Sequence, residues 1–313
     1  LNQDYPDYEV LFGVLDPDDP AVPLLREIVR ESPNASLRIG ATIYGANNKV
    51  RILHNLASNA TGEILVITDS DTRAGLGFLR AITQPFQQEG IGAVTCMYRG
   101  IKARTLADAL EGLHMTCIFA PGVASANYLT GIDFGLGAAI AIHRKALDAT
   151  GGFQPIADHL ADDFQLVRRA SLAGYGVMLS GYVMDIALGG ETLRSVLARE
   201  LRWSVTTRVS RPWGHLGLVV TFGFPYALLY CIASRHSALG WGVLLGTTAI
   251  RLATAFIGAR ICLGARELPR RLHLLPLRDI LSFIIWIAGY FTRTVKWRGR
   301  ALRLTRDGRM VGK

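Results

Sequence analysis

Glu63-Ile64-Leu65-Val66-Ile67-Thr68-Asp69-Ser70-Asp71 decides the fold. The unbroken run Ile64 to Thr68 reads as a strand buried on both faces, as in a parallel sheet covered by helices. Asp69 and Asp71 follow at its carboxyl end, the edge where open α/β sheets bind ligands. Two carboxylates one residue apart can present hard oxygens to Mg2+ or Mn2+, and such a cation neutralises a diphosphate. Acidic pairs are also common in solvated turns, and the apolar strand in front is what sets this one apart.

Working outward, residues 9–15 read as a second buried strand, followed by the turn Asp16-Pro17-Asp18-Asp19-Pro20. A helix over 21–31, a short strand at 37–39 and a helix over 49–60 lead up to the central strand. Beyond it come helical spacing over 76–87 and a strand at 91–96. An amphipathic stretch follows at 105–114. The Gly-rich run 130–142 reads as a buried strand with close backbone approach rather than a membrane span, because it holds three glycines and Asp133. A helix over 161–173 and a turn-strand over 174–183 close the series. This alternation predicts a Rossmann-like, mostly parallel sheet covered on both faces.

The 313 residues are 50% hydrophobic, and the excess is concentrated in 212–292. That shift predicts a membrane module after a globular domain. Residues 216–234 are long enough to span, 237–259 likewise apart from Arg251, while the uncharged run 280–292 is only 13 residues. The short third run reads as re-entrant or interfacial. Arg251, an ionisable group in an apolar segment, reads as a lipid-phosphate contact or a snorkelling side chain. The net charge of +9 clusters at 199–211, 260–278 and 293–313, beside the apolar segments. That placement suits anionic headgroups, and with no zinc-finger, RNP or basic-zipper pattern it excludes nucleic acid as a partner.

The four cysteines, Cys96, Cys117, Cys231 and Cys262, form no CxxC pair and read as buried free thiols in a reducing compartment. The expected organisation is a catalytic domain over 1–211, a membrane module of two or three segments over 212–298 and a basic tail over 299–313. The catalytic domain is expected on the cytoplasmic side of a multi-pass inner-membrane protein. The chain opens without an initiator Met, so an amino-terminal strand and anchor are expected to precede it.

Three further constellations carry chemistry. Asp16, Asp18 and Asp19 follow the first strand, where a carboxylate can reach a nucleotide's base or ribose or simply order the turn before the helix. Asp162-Asp163 opens a helix, where the dipole favours acids in any case, yet adjacent carboxylates raise one another's pKa towards that of a general base. Arg199-Glu200-Leu201-Arg202-Trp203 puts two arginines three apart beside an indole, a face able to grip a diphosphate or to sit at a bilayer edge. Lys49 can touch a nucleotide or be an ordinary surface lysine.

The order Asp16-x-Asp18-Asp19-Pro20, Asp69-Ser70-Asp71, Asp162-Asp163 and Arg199-x-x-Arg202-Trp203 resembles the GT-A glycosyltransferases of the ceramide glucosyltransferase type. It is most similar to the bacterial group associated with hopanoid biosynthesis. Gln3-Asp4-Tyr5-Pro6-x-Tyr8-Glu9-Val10-Leu11, Asn48-Lys49-Val50 and Gly151-Gly152-Phe153 match as well. The resemblance implies a GT-A domain with carboxyl-terminal membrane helices, and inverting transfer of glucose or N-acetylglucosamine from a UDP-sugar to a lipid hydroxyl. It implies Asp69 and Asp71 as metal ligands, and Asp16, Asp19, Lys49 and Asp69 around the nucleotide. It also implies Asp163 as general base, with Arg199, Arg202 and Trp203 at the departing diphosphate. Arginine stands at 199 where eukaryotic members carry Gln. The His that animal members carry between the second and third aspartates has no evident counterpart around Cys117-Ile118-Phe119-Ala120. A processive polysaccharide synthase and a non-catalytic membrane scaffold are the competing readings.

Overall fold

The computed structural model describes residues 1–297 and 300–312. The chain forms two compact units, Leu1–Met97 with Gly131–Met184, and Tyr98–Thr130 with Asp185–Lys313. In order, the elements are β1 (Val10–Val14), α1 (Val22–Glu31), β2 (Ala35–Ile39), α2 (Asn48–Asn59), β3 (Ile64–Thr68), β4 (Thr72–Arg73), α3 (Phe78–Thr83) and β5 (Ile91–Ile101). Then come α4 (Leu106–His114), α5 (Ala120–Thr130), β6 (Ala139–His143), α6 (Arg144–Ala149), α7 (Asp162–Leu172) and β7 (Gly176–Ala187). The last are α8 (Leu193–Ser210), α9 (Pro212–Gly217), α10 (Gly223–Ala233), α11 (Ala238–Ile257), α12 (Leu275–Phe291), β8 (Thr294–Trp297), β9 (Arg300–Leu304) and β10 (Met310–Gly312).

In the first unit β1 and β2 pair in parallel, from Val10↔Ala35 to Val14↔Ile39. The larger sheet has the order β3-β6-β5-β7-β4. β6 runs antiparallel to both its neighbours, so β3 and β5 point the same way. The apolar run that makes β3 a strand also fills the core, where Ile67, Ala93, Ile140, Ile142, Phe153 and Val167 pack together. The Gly-rich run is a strand only from Ala139; the expectation of a strand from 130 fails. Gly131 takes a positive φ of +73°, and a Cβ at Gly135 would lie 2.5 Å from the Asp163 carbonyl. The glycines therefore form an irregular wall under the start of α7.

The second unit gathers α4, α8 and α12 side by side, with α10 packed on α11. α4 starts at a reciprocal cap between Thr105 and Asp108. Residues read as a basic tail are a small antiparallel sheet, β10-β9-β8, with Leu302, Leu304 and Met310 buried. The alternation Arg300-Ala301-Leu302-Arg303-Leu304 is a strand pattern, and Asp307-Gly308 with φ +87° turns the chain back. The boundary placed at 298/299 falls outside the described residues.

Two helical stretches are long and apolar enough to cross a membrane, Ala238–Cys262 and Leu268–Phe291. The second corrects the reading of 280–292 as too short. Arg278 and Asp279, which interrupted that run, are neutralised in place. Arg278 Nη1 lies 2.7 Å from Glu200 Oε1, and Asp279 takes two 2.9 Å bonds from Arg251. Arg251 also donates to the Cys117 carbonyl at 3.0 Å, so it is an internal ion-pair partner rather than a lipid contact. The run 216–234 is two helices, Pro212–Thr221 and Gly223–Ala233, bent by 50°. Cys96, Cys117 and Cys231 are buried free thiols as expected, while Cys262 is exposed.

Candidate active site

Asp69 directly follows β3, and its N–H donates to Ala138 O at 3.4 Å. The Asp69 carbonyl accepts from the Thr72 hydroxyl at 2.7 Å, which folds the acidic triplet into a tight turn. Asp71 is exposed on that turn. Opposite stands the first turn of α2. Asn47 caps it, its Oδ1 accepting from the N–H groups of Lys49 and Val50 at 3.0 and 3.3 Å. The same buried amide donates to His159 O at 2.7 Å and to Asp162 Oδ1 at 3.3 Å, which ties α2 to the start of α7.

Lys49 leaves that turn with its Nζ 2.7 Å from Asp69 Oδ1 and 3.5 Å from Asp162 Oδ2. Burial works against its charge, but the carboxylates of Asp162, Asp69 and Asp163 outweigh it and hold the ammonium above the usual lysine range. Asp163 sits beside this group. Its Oδ1 accepts the Phe164 N–H at 2.8 Å. Burial first, and the Asp162 charge second, push its carboxyl up to about 6, against the pull of Lys49. A carboxylate so placed can take up a proton near neutral pH.

Gly137 keeps the space between these acids open. A Cβ there would come within 3.0 Å of Asp163 Oδ2 and 3.9 Å of Asp69 Oδ2, so both carboxylates border one gap. Gly137→Ala is expected to lower kcat by about tenfold or more by displacing the Asp163 carboxylate. An unchanged far-ultraviolet circular dichroism spectrum would separate that effect from misfolding, and unaltered turnover would show that the gap is not used.

Among the described residues no group of three or more His, Cys, Asp or Glu side chains could hold a metal alone. The acidic turn nevertheless fits a divalent cation. Mg2+ and Mn2+ are commonly held by one or two carboxylates while substrate phosphates and water complete the shell. Asp69 Oδ2 borders the open gap above Gly137, and Asp71 adds a second hard oxygen donor from the same turn.

Asp16 and Asp19 order the turn after β1. Asp16 Oδ1 accepts the Asp18 N–H at 3.0 Å and Asp19 Oδ1 the Ala21 N–H at 2.9 Å. Each of these two acids uses one carboxylate oxygen in these bonds. Arg199, Arg202 and Trp203 lie on α8 in the second unit. Arg199 is gripped by Glu111 at 2.8 Å and Glu191 at 2.7 Å, and its guanidinium lies 5.9 Å from the Trp203 ring centroid.

The structure thus brings together Lys49, Asp69 and Asp163 in one unit, and Arg199 and Trp203 in the other. Sequence reasoning missed Asn47, Gly137 and His114. His114 lies between the second and third aspartates and stacks on Trp203, centroids 6.0 Å apart at 21°. Burial, with the charge of Arg278 adding, pushes its imidazole down to about 3, so the ring is neutral.

The chain is 22% identical to ceramide glucosyltransferase 3 of Caenorhabditis elegans over 325 residues, spanning 98% of this chain and 68% of that protein. A mannosyltransferase from Pyrobaculum calidifontis, solved with GDP-Man and Mn2+, superposes with a TM-score of 0.54 at 22% identity. That match covers 93% of this chain and 79% of the other, and it places the present fold among the GT-A glycosyltransferases. The model of glycosyl transferase family 21 matches residues 1–310, and with the acidic turn, the paired aspartates of α7 and the Arg-Trp helix in their order, the chain belongs to that family of nucleotide-sugar-dependent glycosyltransferases.

Proposed function

We propose that the protein transfers a hexose, glucose or N-acetylglucosamine, from a UDP-sugar to the hydroxyl of a membrane lipid such as a hopanoid or ceramide, with inversion at the anomeric carbon. The observation that carries this is the gap above Gly137, bordered by Asp163 on one side and Asp69 with its Lys49 partner on the other. Asp163 takes the acceptor hydroxyl proton while that oxygen attacks the anomeric carbon and the bond to the diphosphate breaks. Lys49 fixes the Asp69 carboxylate, and Asn47 fixes both Lys49 and Asp162. Asp16 and Asp19 are assigned to the uridine. Arg199, Arg202 and Trp203 are assigned to the departing diphosphate on the strength of their motif, Glu111 and Glu191 holding Arg199 in its rotamer. A divalent cation bound at Asp69 and Asp71 supplies positive charge to the diphosphate.

Residues 1–211 act as the transferase domain, 212–298 attach it to the inner membrane with that domain on the cytoplasmic side, and 299–313 form a basic end. The apolar stretches Ala238–Cys262 and Leu268–Phe291 support attachment. The test is transfer of radiolabelled sugar from UDP-glucose and from UDP-N-acetylglucosamine to extracted lipids, resolved by mass. Labelled lipid with one acceptor hydroxyl glycosylated is the expected product, and a ladder of polymer would favour a processive synthase. Excess chelator is expected to reduce transfer at least a hundredfold, with Mg2+ or Mn2+ restoring it. Turnover within twofold in chelator would remove the metal from the scheme.

A further inference from the structure

We propose that residues 212–291 seat the protein on one leaflet of a bilayer without crossing it, an inference that rests on membrane attachment as proposed above. Length and composition alone allow two crossings, or three with the bent pair. The contacts that fasten α12 and the connection before it point to none.

α8 serves as a ruler. It lies alongside α12 and is bonded to it at three levels. Glu200 meets Arg278 at 2.7 Å. Ser204 reaches the Ile285 carbonyl at 3.5 Å. Arg208 donates to the carbonyls of Tyr290 and Thr292 at 3.1 and 3.0 Å. Any crossing by this part of α12 would carry α8 across with it. α8 holds Arg194, Arg199, Glu200, Arg202 and Arg208 within 18 residues. A helix so charged does not pass through hydrocarbon as a span. The two ends of α8 therefore share one side of the membrane.

The connection within the apolar hairpin and the chain that follows it are fastened on that side. The connection between Ala238–Cys262 and Leu268–Phe291 is held by Arg99, which donates to the Leu263 carbonyl. It is held too by Arg271, which donates to Ala103 O at 2.6 Å. Arg99 lies on β5 and pairs with Asp185 of β7 at 2.6 Å. Strands with open edges are not accommodated in hydrocarbon, so this end stays out of it. Beyond α12, β8 packs on α8, and Gly308 lies against Val209. The first limb of the bent pair lies against the same helix, since Trp286 Nε1 donates to His215 O at 2.8 Å and the Phe222 ring meets Phe283 edge-on.

What faces outward suits a leaflet. Trp213, Val220, Leu239, Ile250, Ile261 and Phe291 are exposed apolar side chains. Exposed Arg235, Arg260, Arg266, Arg270 and Arg293 flank them and complement anionic headgroups. The acceptor lipid would then be drawn from the leaflet on which the enzyme sits, on the side where the nucleotide-sugar arrives.

The test uses the full chain with Cys262→Ser, carrying Arg30→Cys, Arg235→Cys, Glu267→Cys or Arg306→Cys one at a time, all at exposed positions. Sealed membrane vesicles bearing each variant are floated on a density gradient, then treated with a membrane-impermeant maleimide before and after detergent. The Arg30→Cys fraction labelled before detergent gauges how many molecules face outward. Flotation with equal fractions at all four positions, a ratio of about 1, is the expected result. An Arg235→Cys or Glu267→Cys fraction complementary to that of Arg30→Cys shows a segment that crosses, and a complementary Arg306→Cys fraction shows an odd number of crossings; any of these overturns the proposal. Failure to float overturns membrane attachment itself, a result distinct from protection.

Discussion

Asp163→Asn is expected to lower kcat by about 10²–10⁴-fold while KM for the UDP-sugar stays within a few-fold of the parent value. The amide keeps the size of the side chain and can still accept the Phe164 N–H at the start of α7. What it loses is the ability to accept a proton at the gap above Gly137. Steady-state transfer with saturating donor, alongside donor binding by calorimetry, separates the two. Turnover within a few-fold of the parent would end the assignment of Asp163 as base. Asp162→Asn should behave differently. Asp162 faces Lys49 and Asn47 rather than the gap, so its loss acts on the position of Lys49 and shows in KM as well as kcat.

The second large effect lies in α8. Arg278 is fully buried, and its ion pair with Glu200 is as deep. Removing one partner strands the other charge, at a cost of about 3–5 kcal/mol. Arg278→Met is therefore expected to lower the melting temperature by roughly 10 °C or more, measured by differential scanning fluorimetry in detergent. Replacing both residues, Glu200→Met with Arg278→Met, should restore most of the loss, because a buried pair is often no more stabilising than apolar residues of like volume. Among the described residues Glu200 Oε2 and Arg278 Nη2 have no hydrogen-bond partner, which strengthens the expectation for the double replacement. A double variant as unstable as the single one would show that the pair is needed as a pair.

The acidic turn was legible because an apolar strand announces itself in five residues, and its carboxyl end fixes where the chain can bind a ligand. Asp163 was legible as one of two adjacent acids, but the division of labour with Asp162 was not. That division depends on Lys49 and Asn47, more than a hundred residues earlier in the chain. Gly137 looked like one glycine of several, since its reason is a distance to a side chain of another element. His114 was overlooked because the stacking that marks it is made with α8, far along the sequence. The third apolar segment was cut short for a similar cause. Arg278 and Asp279 count as interruptions until Glu200 and Arg251 are seen to neutralise them. In β9 a strand alternation was hidden by its charge, every second residue being apolar between arginines and a turn.

The Arg278–Glu200 pair also bears on what the apolar segment is for. Glu200 stands inside Arg199-Glu200-Leu201-Arg202-Trp203, while its counter-ion comes from α12. A tether can be shortened, exchanged or cut away without changing the shape of what it holds. Here a chain ended after Arg211 would leave an acid of the motif helix facing bared apolar surface with no cation to meet it. The helix proposed to attach the protein to its membrane is thereby also a wall of the Arg-Trp motif, and the two cannot be inherited, swapped or solubilised apart.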